Sequence, residues 1–150
     1  MANANDNAVL REMMNVPEPL MAEYFARNAH RIIDDANYWN VLGTLWKLGG
    51  TVVQQDLWRG LFLADRPRQH KIMKGRERQR WRNLPAVVTA YRAVNHPEEA
   101  ETAISWTLDR KVAEKFSQNA KRQIVVRKFR KQDVFAFFDR LGEEEILVNL

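Results

Sequence analysis

Apolar residues recur at helical spacing through the first half of the chain, which places them on one side of each predicted helix. The three periodic segments are residues 17–34, 38–48 and 54–63. Gly49-Gly50 supplies a stop for the second segment. Residues 1–7 are small and polar, and we expect them to be disordered.

The pattern changes after the turn at Leu84-Pro85, where short β-rich runs replace the helical period. The predicted strands are residues 87–94, 104–107, 124–129, 134–138 and 145–150. A short helix is predicted between the second and third strands, over residues 109–117. Asp109 suits its N-terminal end, because a carboxylate can accept hydrogen bonds from the first backbone N–H groups.

Length and composition fit one globular domain. The chain has 150 residues, of which 45% are hydrophobic and 29% charged, and these values are typical of a soluble protein. We therefore predict a single α+β domain. It has a mostly helical portion over residues 1–83 and a strand-rich portion over residues 84–150.

The sequence lacks the signals of several classes of protein and site. No apolar run approaches the roughly 20 residues of a membrane span, and the N-terminus lacks a secretory signal, so we expect a cytoplasmic protein with no membrane partner. The absence of cysteine excludes disulfides and thiolate chemistry. His30, His70 and His96 show no ligand spacing, so no metal site is expected. No glycine-rich phosphate loop is present either.

Positive charge is concentrated in two segments. Residues 66–82 hold eight basic residues and one acidic residue, although the net charge of the whole chain is only +5. A second basic cluster spans residues 121–131. Such stripes can bind the phosphates of nucleic acid or of a dinucleotide, or an acidic protein, or they are a solvated loop and strand face. Trp81, inside the first segment, either stacks on a base or anchors the core.

Three consecutive glutamates precede the last predicted strand. Alternation along a strand puts Glu143 and Glu145 on one face and Glu144 on the other. A paired carboxylate at a strand entrance is a candidate chemical site. Arg92 and Ser105 lie on two upstream strands, and an arginine, a hydroxyl and a carboxylate together can hold a charged ligand that contains a sugar.

The order of these elements resembles the arginine, serine and glutamate pattern of mono-ADP-ribosyltransferases, most of all small phage and prophage members. The matching residues are Tyr91-Arg92, Ser105-Trp106-Thr107 and Glu143-x-Glu145. The resemblance covers residues 84–150. It implies a split, mainly antiparallel sheet of ADP-ribosyltransferase type and NAD as a substrate. It also implies action in the host cytoplasm if the protein is phage-encoded.

The resemblance also implies catalytic roles. Glu145 takes the position of the glutamate that stabilises the oxocarbenium-like ribose when the nicotinamide bond breaks. Glu143 takes the position of the residue that engages the acceptor, which in this family is associated with arginine. Ser105 would orient the catalytic glutamate.

The implied NAD-binding residues lie on the same segments. Arg92 would contact the diphosphate, because a guanidinium binds phosphate bidentately. The remaining members of the implied set are Tyr91, Ser105, Trp106, Thr107 and Phe116. Taken alone, each of these residues also fits a structural role, and the aromatic residues Trp106 and Phe116 in particular fit the core.

Two positions depart from the family pattern, and alternatives to the implied function stay open. Ala93 follows the Tyr-Arg pair where the family often has glycine, and Ala103-Ile104 precedes the serine in place of a small glycine. The implied activity is transfer of ADP-ribose to a macromolecule, with an arginine of a host protein favoured. One alternative is a non-catalytic basic module or inhibitor that binds nucleic acid or a host protein complex. Another is NAD hydrolysis or modification of nucleic acid.

Overall fold

The computed structural model describes residues 4–49, 54–117 and 122–149. In these residues six α-helices and one five-stranded antiparallel sheet form an α+β protein, as predicted. The chain divides into two compact units, Met1–Ile72 and Met73–Leu150. The division falls inside the basic segment 66–82, and the helix at the end of that segment belongs to the strand-rich unit.

The first unit is helical. Its helices are α1 (Ala4–Met14), α2 (Met21–Asn28), α3 (Asp35–Gly49) and α4 (Gln55–Phe62). The three periodic segments therefore form helices as predicted, and 3₁₀ turns flank α2. The expected disorder of residues 1–7 is wrong for residues 4–7, which belong to α1. Gly50 lies outside the described residues.

One polar residue of helix α1, Asp6, is buried and hydrogen-bonded to residues 33, 34 and 37. The Asp6 carboxylate accepts hydrogen bonds from the backbone N–H of Ile33 at 2.8 Å and of Asp34 at 3.1 Å, and from Asn37 Nδ2 at 3.0 Å. Burial alone would raise the pKa of Asp6, but these bonds together bring it below its ordinary value of 3.8. A composition-based expectation of disorder cannot detect a tertiary contact of this kind.

Aromatic side chains fill the core of the first unit. Trp46 packs edge-on against Trp58 and Phe62, and the hydroxyl of Tyr38 donates to the carbonyl of Leu61 at 2.6 Å. Burial raises the pKa of Tyr38 to about 12. Arg66, counted with the basic segment, donates to the carbonyls of Ala29 and Ile32, so that cation has a structural role.

The second unit contains the sheet. Its elements are α5 (Gly75–Arg82), β1 (Val87–Val94), β2 (Ser105–Thr107), α6 (Arg110–Phe116), β3 (Gln123–Arg130), β4 (Val134–Phe138) and β5 (Glu145–Val148). The strand order is β3-β1-β2-β5-β4, and every neighbouring pair is antiparallel. Two strands match their predicted bounds, and the others differ by one or two residues at an end. Asp109 caps α6 as expected, accepting from the Lys111 N–H at 2.9 Å.

The register of the strands decides which side chains share a face. Tyr91 lies opposite Thr107, and Thr107 lies opposite Glu145. Directly paired residues in an antiparallel sheet project to the same side, and Ser105 lies two residues before Thr107 on β2. These four side chains therefore lie on one face of the sheet, and by the same alternation Arg92 and Trp106 project to the other.

Basic segment 66–82 is not the solvated loop that its composition also allowed, because its last eight residues are helix α5. Trp81 on this helix donates from Nε1 to the carbonyl of Val134 at 2.8 Å. The structure thus favours the core-anchor interpretation of Trp81. In the part of the chain that the structure describes, no helix is long and apolar enough to cross a bilayer.

Candidate active site

Arg92 links β1 to β2 next to the point where the two strands pair. From its Nη1 it donates to the carbonyl of Ser105 at 2.7 Å. The guanidinium is largely buried, and its Nε has no hydrogen-bond partner among the described residues. A buried cation with an N–H group that lacks an acceptor is suited to an anionic ligand. An unsatisfied buried polar group costs free energy until it gains a hydrogen-bond partner.

Burial also lowers the pKa of Arg92, and nearby charges act against one another. The carboxylates of Glu99 and Glu145 favour the charged form, whereas Arg122 disfavours it. Arginine nevertheless stays protonated in proteins. The site therefore holds a permanent positive charge close to Glu145.

Ser105 connects Arg92 to the predicted catalytic carboxylate. Its hydroxyl donates to Oε2 of Glu145 in a short hydrogen bond. Glu145 is the first residue of β5 and is 8% exposed. The main-chain carbonyl of Ser105 thus accepts from Arg92 while its side chain holds Glu145, so three residues predicted from sequence lie together across three neighbouring strands.

Thr107 supports the same region from the end of β2. Its hydroxyl donates to the carbonyl of Glu143 at 2.6 Å and accepts from the Asp109 N–H at 3.1 Å. The Leu108 N–H donates to the carbonyl of Glu144 at 2.9 Å. These bonds fix the backbone of two glutamates against β2.

The alternation assumed for the three glutamates is wrong. β5 begins only at Glu145, and Glu144 has a φ of 43°, in the left-handed region. Strand alternation therefore does not place the side chains of Glu143 and Glu145 on one face of the sheet. The Glu143 side chain is partly exposed, whereas Glu144, predicted only to point away, pairs with Arg80 at 3.0 Å.

Helix α5 holds the connection between β4 and β5. Oε2 of the buried Glu77 accepts from the Asp139 N–H at 2.9 Å, and its Oε1 accepts from Arg140 Nη2 at 3.3 Å. Oε1 also accepts from the Lys74 N–H and so caps α5. Arg80 adds its ion pair with Glu144. The six residues that lead into Glu145 are thereby attached to a helix rather than left as a free loop.

Sequence reasoning missed Glu77 and Arg80 as parts of this region. Glu77 stands out in the sequence as the single acid within a basic segment, three residues after Lys74. That spacing fits a helix N-terminus, but nothing local reveals that its carboxylate also binds residues 139–140. Only the packing of α5 beside β4 brings them together.

The aromatic residues of the implied NAD-binding set do not all lie together at the site. Trp106 is buried on the opposite face, where its Nε1 donates to the carbonyl of Ala103 and its ring packs edge-on against Phe129. Phe116 is 51% exposed at the end of α6. Tyr91 shares the face of Glu145 and lies under the guanidinium of Arg110, at 5.7 Å. Of the aromatic set, Tyr91 is placed by register on the site face.

Among the described residues no group of three or more histidine, aspartate or glutamate side chains is placed to bind a metal ion. Of the second basic cluster, Lys121 lies outside the described residues. Comparison with family models, with characterised proteins and with solved structures finds no match to this chain.

Proposed function

We propose that this protein is a mono-ADP-ribosyltransferase that cleaves NAD and transfers ADP-ribose to a macromolecule, with an arginine side chain of a protein as the acceptor. The observation that carries the proposal is the connected set Arg92–Ser105–Glu145. The three residues come from three strands and are separated by up to 53 positions in sequence. Hydrogen bonds nevertheless connect Arg92 to Ser105 and Ser105 to Glu145.

In this proposal Arg92 binds the NAD diphosphate. Its guanidinium is held on one side by the Ser105 carbonyl, which leaves further N–H groups for phosphate oxygens. Bidentate contact to phosphate would satisfy the buried Nε as well. The strands β1 and β2 pair at Tyr91 and Thr107, and the bond from Arg92 to Ser105 next to that pair would hold the guanidinium in place for the diphosphate.

Glu145 would stabilise the transition state of glycosidic cleavage. The bond between ribose C1′ and the nicotinamide nitrogen breaks, and its electron pair leaves with nicotinamide. Positive charge then develops on the ribose. A carboxylate that accepts a hydrogen bond from the 2′-hydroxyl stabilises that charge. Ser105 holds one carboxylate oxygen and so limits the rotation of the group.

Glu143 would serve the second half of the reaction. A nitrogen of the acceptor guanidinium forms the new bond to C1′, and the proton that it loses passes to a carboxylate. The backbone of Glu143 is fixed by Thr107, and its side chain is partly exposed. A macromolecular acceptor could therefore reach it.

The test compares wild type with Glu145→Gln, using NAD labelled in its adenosine part and an arginine-rich protein mixture as acceptor. We expect Glu145→Gln to lower nicotinamide release about a hundredfold or more. Transferred label should fall with it. Glu114→Gln, on the exposed side of α6, is the matched control and should retain both activities.

Two outcomes decide the proposal, and a further variant tests Glu143. Equal nicotinamide release by wild type and Glu145→Gln would exclude it. Nicotinamide release without transferred label would indicate NAD hydrolysis instead. Loss of label in Glu143→Gln with continued nicotinamide release would support Glu143 as the acceptor contact, and unchanged labelling would reject that role.

A further inference from the structure

The exposed side of α5 presents cations beside the connection that carries Glu143. Arg76, Arg80 and Arg82 are exposed on this helix, whereas Glu77 is buried. We call these three arginines the basic face of α5. The only acid from residue 74 to 82 is Glu77, which is buried, so no carboxylate of the helix neutralises this face.

Arg80 joins the basic face to the proposed acceptor region. It is 51% exposed and contacts Glu144 at 3.0 Å and Asp139 at 3.9 Å. Glu144 is the direct neighbour of Glu143. A molecule that approaches Glu143 along this side would therefore meet the arginines of α5.

The second basic cluster reaches the far end of the same helix. Lys131 Nζ donates to the carbonyl of Arg82, and the exposed Arg130 directly precedes Lys131. The last two residues of the second basic cluster, Arg130 and Lys131, thus lie at the C-terminal end of α5. The connection that carries Glu143 is attached to α5 by the ion pair of Arg80 with Glu144.

We infer that the basic face of α5 docks an acidic protein segment that surrounds the acceptor arginine. Charge complementarity carries the inference: Glu143 suits a guanidinium, while Arg76, Arg80 and Arg82 suit carboxylates beside it. The preferred acceptor is then an arginine flanked by aspartate or glutamate. This inference rests on the proposed function, since it names the class of acceptor for the same site.

The experiment uses two peptides, each with a single arginine, flanked either by aspartate and glutamate or by serine and glycine. Transfer of ADP-ribose is measured as kcat/KM at low salt for wild type and for the double variant Arg76→Glu/Arg82→Glu. Arg80 is left intact because it also holds Glu144. Lys128→Glu is the control, since Lys128 is an exposed cation on β3, at the opposite sheet edge from β4.

We expect wild type to favour the acidic peptide about tenfold, and the double variant to lose or reverse that preference. Lys128→Glu should keep it. Nicotinamide release into water should stay within about twofold in all three proteins, because the site of cleavage is unchanged. Equal kcat/KM for the two peptides in wild type, or no labelling of either, would overturn the inference.

A binding measurement separates this inference from the proposed function. Fluorescence anisotropy on Glu145→Gln protein compares the acidic peptide with a single-stranded oligonucleotide of equal charge. Tighter binding of the peptide, lost in the double variant, supports docking of an acidic protein segment. Tighter binding of the oligonucleotide overturns it in favour of nucleic acid. Absence of nicotinamide release by wild type would exclude the proposed function, and the anisotropy result would still report on the basic face.

Discussion

At the scale of single residues, two buried groups show how differently a charge can be accommodated. Asp6 has donors on both carboxylate oxygens, so its charge is part of the fold of the first unit. Arg92 donates a hydrogen bond to the Ser105 carbonyl, and its buried Nε has no hydrogen-bond partner among the described residues. A group of the first kind stabilises the structure, whereas one of the second kind is typical of a binding site.

Replacing Asp6 tests the structural role of a buried carboxylate. We expect Asp6→Asn to lower the free energy of unfolding at neutral pH by about 2 kcal/mol, since buried N–H groups lose a charged acceptor. Urea denaturation followed by the helical circular dichroism signal measures this. The exposed Asp56→Asn is the control and should change the free energy of unfolding by less than about 0.5 kcal/mol.

The same variant should alter the pH dependence of stability. The pKa of Asp6 is lower in the folded state than its ordinary value of 3.8, so its contribution to stability is full above 3.8 and is lost as the pH falls through the folded pKa. Wild type and Asp6→Asn should therefore converge in free energy of unfolding below pH 3.8. Parallel curves from neutral to acidic pH would contradict this account.

At the scale of elements, α5 is the support of the segment that enters β5. Glu77 is a buried acid at the start of the helix, and its ion pair with Arg140 has side chains only 5% and 16% exposed. Removing one partner of a buried pair leaves the other uncompensated. Removing one partner therefore lowers the free energy of unfolding much more for this buried ion pair than for an ion pair in solvent.

We expect Glu77→Gln to destabilise the protein by about 3 kcal/mol, as measured by urea denaturation. Arg130→Gln is the comparison, because its ion pair with Asp133 is solvent-exposed and should contribute less than about 1 kcal/mol. Similar losses in the two variants would show that Glu77 does not anchor residues 139–140 as described.

At the scale of the whole molecule, the excess positive charge is divided between structural and exposed roles. Arg66 and Arg78 donate to backbone carbonyls, whereas Arg76 and Arg82 are exposed on α5. Net charge alone could not distinguish these roles. The exposed cations are the ones that salt will screen.

Raising the ionic strength should therefore separate transfer from NAD cleavage. Between about 50 mM and about 0.5 M NaCl, with NAD saturating, we expect kcat/KM for a protein acceptor to fall about tenfold, because the screening length drops below about 10 Å. Nicotinamide release into water should change less than about twofold, since Ser105 and Glu145 meet in a largely buried place. A parallel fall in both rates would argue against acceptor docking by exposed charge.

The sequence by itself determined the elements of the fold and the order of the candidate residues. Periods of 3.6 and 2 residues reflect burial of one face of a helix or strand, so they locate α2–α4 and β1–β5 to within a few residues. The Arg92, Ser105 and Glu145 positions were also predictable, because each lies in a short segment that resembles a known pattern.

Tertiary structure alone decided how those segments act together. Strand register put Ser105 and Glu145 on one face and Trp106 on the other, and the left-handed backbone of Glu144 broke the alternation expected for Glu143. The burial of Asp6 and the attachment of residues 139–144 to α5 likewise depend on partners distant in sequence. Local patterns report the environment of a residue averaged over one element, whereas a site is made by hydrogen bonds between elements, which only the folded chain brings within reach.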